Sequence, residues 1–141
     1  MIVEGNHIQV GYDETPSKGV ADADGWHAVD IRFLINSEIT GHNQVTMWRA
    51  TFRLGAVHAR HTHDAAEAFF VFKGRGAAGT DDREYLVEAG QMLFVPPGVT
   101  HWFRPLDEQV EIVGCYAPGG SLEEAGYHYV GEVTEEFRTV H

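Results

Sequence analysis

The sequence describes a small acidic chain with the composition of an ordinary globular protein. Its 141 residues are enough for one domain with a substantial core, and 43% hydrophobic against 22% charged residues is typical of such a domain. Ten Lys and Arg against 21 Asp and Glu leave a net charge of -11. This charge argues against a nucleic-acid or membrane partner, because either requires a basic face, and no apolar run approaches the roughly 20 residues that span a bilayer.

The N-terminal residues and the cysteine content bear on the cellular compartment. The first ten residues, MIVEGNHIQV, have neither the cationic start nor the apolar centre of a secretory signal peptide. Cys115 is the one cysteine of the sequence, so no internal disulfide can form. We therefore expect a cytoplasmic protein, in which a metal site must be built from nitrogen and oxygen ligands.

Apolar and polar residues alternate along several stretches, which is the pattern of half-buried β-strands. The clearest stretches are residues 27–35, 46–54 and 109–116. The predicted inward-facing residues are Val29, Ile31, Phe33, Ile35, Trp48, Ala50, Phe52, Leu54, Val110, Ile112, Gly114 and Tyr116. Many short strands separated by glycine and proline turns predict an all-β sandwich or barrel.

Two segments depart from the strand pattern. Residues 12–25 are irregular and predict an exposed loop, whereas SLEEAGY at 121–127 predicts a short C-terminal helix with Ser121 and Glu124 at capping-box spacing. No repeat or linker interrupts the chain, so we expect one domain over residues 1–141.

Imidazoles and a carboxylate gather in HARHTHDAAE, residues 58–67. If this stretch is extended, His61 and His63 share one face of a strand, and His58 points to the other face and is expected at the surface. Glu67 opens the next strand, and a Pro-Pro-Gly bend delivers His101 to a later one. Imidazoles with one carboxylate fit a divalent transition metal better than calcium or copper(I). The alternative is that these polar residues cap turns of an empty barrel.

The spacing of these residues resembles the two sequence motifs of the cupin superfamily. The first motif is Gly55, five residues, His61, one residue, His63, three residues, Glu67, six residues and Gly74. The second motif is Gly90, five residues, Pro96, one residue, Gly98, two residues and His101. The second motif departs from the family at its end, where Pro105 replaces an asparagine, and the resemblance covers about residues 45–117.

The resemblance implies a single jelly-roll (cupin) β-barrel at about residues 45–117, with N-terminal strands in 1–44 and a C-terminal segment in 118–141. It implies one divalent transition metal ion per chain (iron, manganese, nickel or zinc) bound by His61, His63, Glu67 and His101. It also implies a homodimer, in which the strand at 29–35 joins either the partner or its own barrel.

Other residues are candidates for contact with a substrate. Four phenylalanines are expected to line a substrate pocket, although packing in the core is the alternative: Phe52, Phe69, Phe94 and Phe103. Tyr116 shares the inward face of its strand and is a candidate proton donor, while a buried tyrosine with a satisfied hydroxyl is the alternative. His27 begins a strand and is a second catalytic candidate.

Four protein ligands leave two positions in a six-coordinate ion, which suits dioxygenase-type oxidoreductase chemistry on a small organic molecule. The alternatives are isomerase, lyase or cyclase chemistry with the ion as Lewis acid, or a non-catalytic small-molecule binding protein. The few inward-facing cations favour a neutral or mildly anionic substrate over a multiply phosphorylated one. A sensor usually carries an output domain, for which these 141 residues leave no room, so an enzyme is favoured.

Overall fold

The computed structural model describes residues 1–14 and 25–140, and most of them lie in β-strands. The chain begins with a hairpin of β1 (Ile2–Glu4) and β2 (His7–Gln9), followed by a 3-10 turn at Tyr12–Glu14. The main sheet contains β3 (Trp26–Ile35), β4 (Thr46–Thr62), β5 (Ala66–Lys73), β6 (Arg75–Thr80), β7 (Arg83–Glu88), β8 (Met92–Val95), β9 (His101–Pro105), β10 (Val110–Ala117) and β11 (His128–Gly131). The predicted all-β fold is confirmed. Residues 15–24 of the predicted loop lie outside the described residues.

The long strand β4 organises the sheet. Within the described ranges the strand order is β7-β6-β9-β4-β10-β5-β8, and β3 and β11 also pair with β4. The first part of β4 pairs with β10, its last residues pair with β9 and β11, and β3 follows both parts. The sheet therefore curls around β4, consistent with a jelly-roll barrel. The strand at 29–35 joins its own barrel.

A bulge interrupts the pairing of β3 with β4. Val29 pairs with Phe52 and His27 pairs with Val57, so residues 53–56 stand opposite Ala28 alone. Ala28 and Gly55 have positive φ angles of 57° and 90°. Such an insertion breaks the alternation of faces along a strand. Leu54 is therefore 62% exposed, and its predicted inward position is wrong.

Apart from Leu54 and Ile35, the strand alternation predicts the core well. Ile35 is half-buried, because a register shift after Phe33 pairs it with the exposed Met47. The predicted inward residues of β10 are buried, as are Trp48, Ala50 and Phe52 of β4. The ring of Trp102 packs so closely on the neighbouring strand β6 that Gly79, beneath it, has no space for a side chain. A Cβ built on Gly79 falls 1.8 Å from the ring of Trp102, whose indole N–H donates to the buried Glu84 at 3.0 Å.

The C-terminal segment forms turns where the sequence predicted a helix. The capping bonds exist, because Glu124 N–H donates to Ser121 Oγ and Gly120 N–H donates to the Glu124 carboxylate, both at 3.0 Å. The turns stop at Gly126, whose φ is +78°, and the chain then enters β11. The helical elements described are α1 (Ser37–Thr40) and short 3-10 turns, including Glu135–Phe137. No helix in the described part is long and apolar enough to cross a membrane.

Candidate metal centre

Three histidines converge inside the barrel from neighbouring strands. His61 lies near the end of β4, His63 follows that strand, and His101 begins β9. The antiparallel register sets His61 opposite His101, so these two side chains project from the same side of the sheet. All three side chains are buried, and one ring nitrogen of each lies within 4.8 Å of the other two. The structure thus brings together the histidines that the two motifs singled out.

Backbone carbonyls fix the orientation of each ring. Every Nδ1 lies 2.6 to 2.8 Å from a carbonyl oxygen two residues away in the chain. A carbonyl only accepts, so Nδ1 donates, and in the neutral ring the lone pair is on Nε2. Among the described residues, none of the three buried Nε2 atoms has a hydrogen-bond partner. Because buried polar atoms are normally satisfied, three converging lone pairs fit a metal ion.

Glu67, on β5, places a carboxylate beside two of these rings. Its Oε2 lies 3.3 Å from His101 Nε2, and its Oε1 lies 3.8 Å from His63 Nε2. Burial is the largest single influence and raises the pKa of Glu67, but the nearby His101, His63 and His61 together outweigh burial and hold that pKa well below its usual value. Glu67 is therefore ionised at neutral pH.

Two of the histidines have opposite pKa shifts. Burial, followed by the neighbouring His58, lowers the pKa of His61 well below its usual value, so that ring is neutral at pH 7. Burial is also the largest single influence on His101 and lowers its pKa, but the charge and close contact of Glu67, together with the Val99 carbonyl, outweigh burial and raise that pKa. Below this raised pKa the metal-free site holds a Glu67–His101 ion pair, and a metal ion has to displace the His101 proton.

The centre faces a narrow and mostly aromatic cavity. Three of the phenylalanines proposed for a substrate pocket line it together with Trp48 and Ile112: Phe52, Phe69 and Phe103. Its volume is about 20 Å³, which is close to the space of a single water molecule. Binding of an organic substrate therefore requires the aromatic walls to shift.

Phe94 does not line this cavity, and its predicted pocket position is wrong. Phe94 pairs with Ala68, whereas Val95 pairs with Glu67. Directly paired residues project to the same side of a sheet, so Val95 faces inward with Glu67 and Phe94 faces outward. Phe94 is accordingly 63% exposed.

The two catalytic candidates occupy different environments. Tyr116 is buried in the cavity wall and is the cross-strand partner of Glu67. Burial, followed by the charge of Glu67, raises the pKa of Tyr116 well above its usual value, so the phenol keeps its proton at neutral pH. His27 lies outside the cavity lining, is partly exposed, and places Nε2 2.6 Å from the Glu132 carboxylate.

His58 is inside the barrel, and the prediction that it lies at the surface is wrong. Its side chain is 6% exposed and lines the cavity, while burial lowers its pKa well below the usual value. The pairing of β4 with β9 shifts register between His58 and His61, which lets both rings face inward despite their odd separation. Gly55, between the predicted strand at 46–54 and the histidine-rich stretch at 58–67, was the available signal of an irregularity in β4.

Two aromatic residues that the sequence analysis did not assign complete this wall. Trp26 stacks on His58 with ring centroids 3.5 Å apart, and His58 stacks on His61 at 3.7 Å. Tyr127 lies 5.2 Å from His61, and its hydroxyl is 3.1 Å from His58 Nε2. We call Trp26, His58, His61 and Tyr127 the ring stack. Trp26 and Tyr127 are distant in sequence from each other and from His58 and His61, so no local spacing could have identified the stack.

The fold and the site together define a β-barrel with an interior site suited to a metal ion. Residues 48–114 match the model of a family described as the cupin domain. These residues are just under half of the chain, and the match agrees with the cupin resemblance of the two motifs. An uncharacterized protein of Streptomyces coelicolor is 28% identical over 64 residues, which are 45% of this chain and 61% of that relative. The aligned part is thus less than two thirds of the relative.

Solved structures resemble most of the chain. A cupin-like protein from Thermotoga maritima is 23% identical with a TM-score of 0.71, covering 82% of this chain and 86% of that one. The polyketide cyclase RemF from Streptomyces resistomycificus is 16% identical with a TM-score of 0.73, covering 92% and 89%. A predicted oxalate decarboxylase from Thermotoga maritima is 17% identical with a TM-score of 0.70, covering 79% and 99%. At these identities the likeness shows the fold.

Proposed function

We propose that the protein is a metal-dependent enzyme of dioxygenase type that acts on a small neutral or mildly anionic organic molecule. His61, His63, His101 and Glu67 would hold one divalent transition metal ion. The observation that carries the proposal is the set of three buried Nε2 atoms that lack hydrogen-bond partners, two of which lie 3.8 and 3.3 Å from the Glu67 carboxylate. Such a ligand set leaves positions open for substrate and dioxygen.

The side chains of the cavity would complete this chemistry. A bound ion supplies Lewis acidity and, if it is iron, access to dioxygen chemistry. The aromatic walls exclude bulk water, which strengthens electrostatic interactions and protects reactive species. Glu67 contributes the negative charge that balances the ion. Tyr116 keeps its proton at neutral pH and presents a hydroxyl in the cavity wall as a hydrogen-bond donor.

A second candidate is non-redox lyase, cyclase or isomerase chemistry. Tyr116 and Glu67 are cross-strand partners, so the protonated phenol lies in the same cavity as a proposed metal ligand and would donate a hydrogen bond to a substrate carbonyl that the ion polarises. Two similar structures are named as a polyketide cyclase and a predicted oxalate decarboxylase, which agrees with this candidate. A binding protein without activity is the remaining outcome.

Metal content and oxygen uptake distinguish these candidates. The protein is purified without a tag or chelator, and bound metals are quantified per chain for wild type, His61→Ala and the control His128→Ala, an exposed histidine on β11. Stoichiometric iron with oxygen uptake on diketones, hydroxyketones or phenolics supports the dioxygenase. Stoichiometric manganese, nickel or zinc with turnover but no oxygen uptake supports the second candidate. Equal metal content in wild type and His61→Ala would contradict the metal centre.

We also propose that two copies pair through the outer face of the sheet. Strand pairing aligns two outward rows, which we call the outer strip: Met47, Cys115, Ala68 and Phe94, and beside them Arg49, Val113, Phe70 and Met92. Met92 is 71% exposed, and exposed apolar patches of this kind mark interaction sites. Arg49, the charged member, is paired with Glu111 at 3.2 Å. Two chains of charge -11 can approach with least repulsion where carboxylates are absent.

Sedimentation at several protein concentrations tests this pairing. We expect a dimer for wild type and a monomer for Phe94→Glu. The control Leu54→Glu introduces the same charge at a similarly exposed apolar residue outside the strip, and it should remain dimeric. A monomeric wild type, or equal effects of both substitutions, would contradict the proposed face.

The cytoplasmic location remains a prediction. It is supported by the single cysteine, and fractionation of the native host with an antibody against the protein would test it.

A further inference from the structure

The C-terminal segment lies outside residues 48–114, which match the cupin family, yet it supports the backbone around His63. The carbonyl of Ala125 accepts hydrogen bonds from the backbone N–H groups of Asp64 and Ala65, at 2.8 and 3.1 Å. The carbonyl of Ala65 in turn accepts the Nδ1–H of His63 at 2.6 Å. The turn that follows β10 therefore fixes the peptide on which one ring of the metal centre is oriented.

The same segment reaches His61 through the ring stack. The Tyr127 hydroxyl is hydrogen-bonded to His58 Nε2 at 3.1 Å. His58 lies nearly parallel to His61, with an interplanar angle of 16° and a centroid distance of 3.7 Å. Trp26 packs on the opposite face of His58 at 3.5 Å. His58 is thus held from both sides, and the ring of His61 cannot tilt toward it without displacing the stack.

We propose that residues 121–127 are a positioning element of the metal centre, and that His58 and Tyr127 are positioning residues that act through His61. The proposal rests on the metal centre put forward above. Groups around the ligating histidines of metal sites set ring orientation, and their loss typically lowers metal affinity by about 10–100-fold. Residues 121–127 lie beyond the matched residues 48–114. They contact the Asp64–Ala65 backbone that orients His63, and the ring of His58 that packs on His61.

Cobalt(II) is a suitable probe because its visible absorption responds to ligand geometry and its loss to a chelator gives a dissociation rate. Tyr127→Phe removes one hydroxyl and keeps the ring. His58→Phe keeps a ring in the stack without its hydrogen bond, and His58→Ala removes both. The control Tyr129→Phe removes a hydroxyl from β11, just beyond residues 121–127, where Tyr129 donates to Glu132 outside the stack.

We expect wild type and Tyr129→Phe to bind one cobalt per chain with the same spectrum and dissociation rate. Cobalt loss should be about 3–10 times faster in Tyr127→Phe and at least about 10 times faster in His58→Ala, both with shifted bands, and His58→Phe should lie between them. A role in packing alone would lower the unfolding midpoint and leave the cobalt bands unchanged.

Two results would overturn the inference. Unchanged bands and dissociation rates in Tyr127→Phe and His58→Ala, with wild type binding cobalt, would refute the positioning role and leave the metal centre standing. A wild type that binds no cobalt would remove the metal centre and this inference together. If His58→Ala fails to fold, Tyr127→Phe decides the question, since it removes a single oxygen atom.

Discussion

Replacement of Glu67 by Gln tests the charges of the centre in the metal-free protein. The variant keeps the side-chain shape and removes a charge 3.3 Å from His101 Nε2. With an effective dielectric constant of about 20, the attraction at this distance is about 5 kcal/mol. The variant loses less stability than this attraction, because His101 can release its proton when the carboxylate is gone. That release costs about 1.4 kcal/mol for each pH unit below the pKa of His101. We expect the free energy of unfolding to fall by about 1–2 kcal/mol at pH 7.

The loss of stability should increase as the pH falls from 8 to 5. In wild type the folded pKa of His101 lies above its ordinary 6.5, so its contribution is fully present below 6.5 and disappears as the pH rises through the folded value. In Glu67→Gln, burial and the neighbouring imidazoles remain, and both disfavour the protonated form of folded His101. Lowering the pH therefore favours the unfolded chain. Glu67 contributes above its ordinary 4.5 and loses its effect as the pH falls through its lower folded value. The difference should therefore be largest between about pH 4.5 and 6.5.

Urea unfolding with chelator at pH 5, 6.5 and 8 measures this difference. Glu132→Gln is the matched control, because that carboxylate is half-exposed and pairs with His27 instead. We expect Glu67→Gln to lose about 2 kcal/mol more at pH 5 than at pH 8, and the control to change by less than about 0.5 kcal/mol. A constant difference over this range would refute the ion-pair reasoning.

Three further predictions concern the metal, the packing and the reaction. Below the raised pKa of His101, metal affinity should rise about tenfold per pH unit, because metal binding displaces one proton from His101. Calorimetry in buffers of different ionisation enthalpy measures the number of protons released. Gly79→Ala should lower the free energy of unfolding in urea by about 1–3 kcal/mol, because the methyl group overlaps Trp102. Tyr116→Phe should lower kcat by about 100-fold or more while metal content stays at the wild-type level; unchanged kcat would remove Tyr116 from the chemistry.

Strand alternation carried most of the fold prediction because inward and outward residues alternate without a break over residues 66–71 of β5 and 112–117 of β10. Glu67, Phe69 and Val71 are buried, as are their cross-strand partners on β10. The prediction failed where the period is broken. Leu54 lies in the bulge opposite Ala28, and His58 follows it. A bulge inserts residues that the composition of the strand does not reveal. Beyond the bulge, the alternation of inward-facing and outward-facing residues is therefore shifted.

The sequence by itself determined the all-β class and the histidines that meet in the barrel, because short-range periodicity and motif spacing depend on residues close in the chain. Only the tertiary structure decided how distant segments meet. It turned Phe94 outward through its pairing with β5 and brought Tyr127 against His58 from a segment predicted to be helical. It also set Glu67 beside His101, from another strand. These contacts join residues far apart in the chain, and their geometry follows from strand register, which a local pattern does not contain.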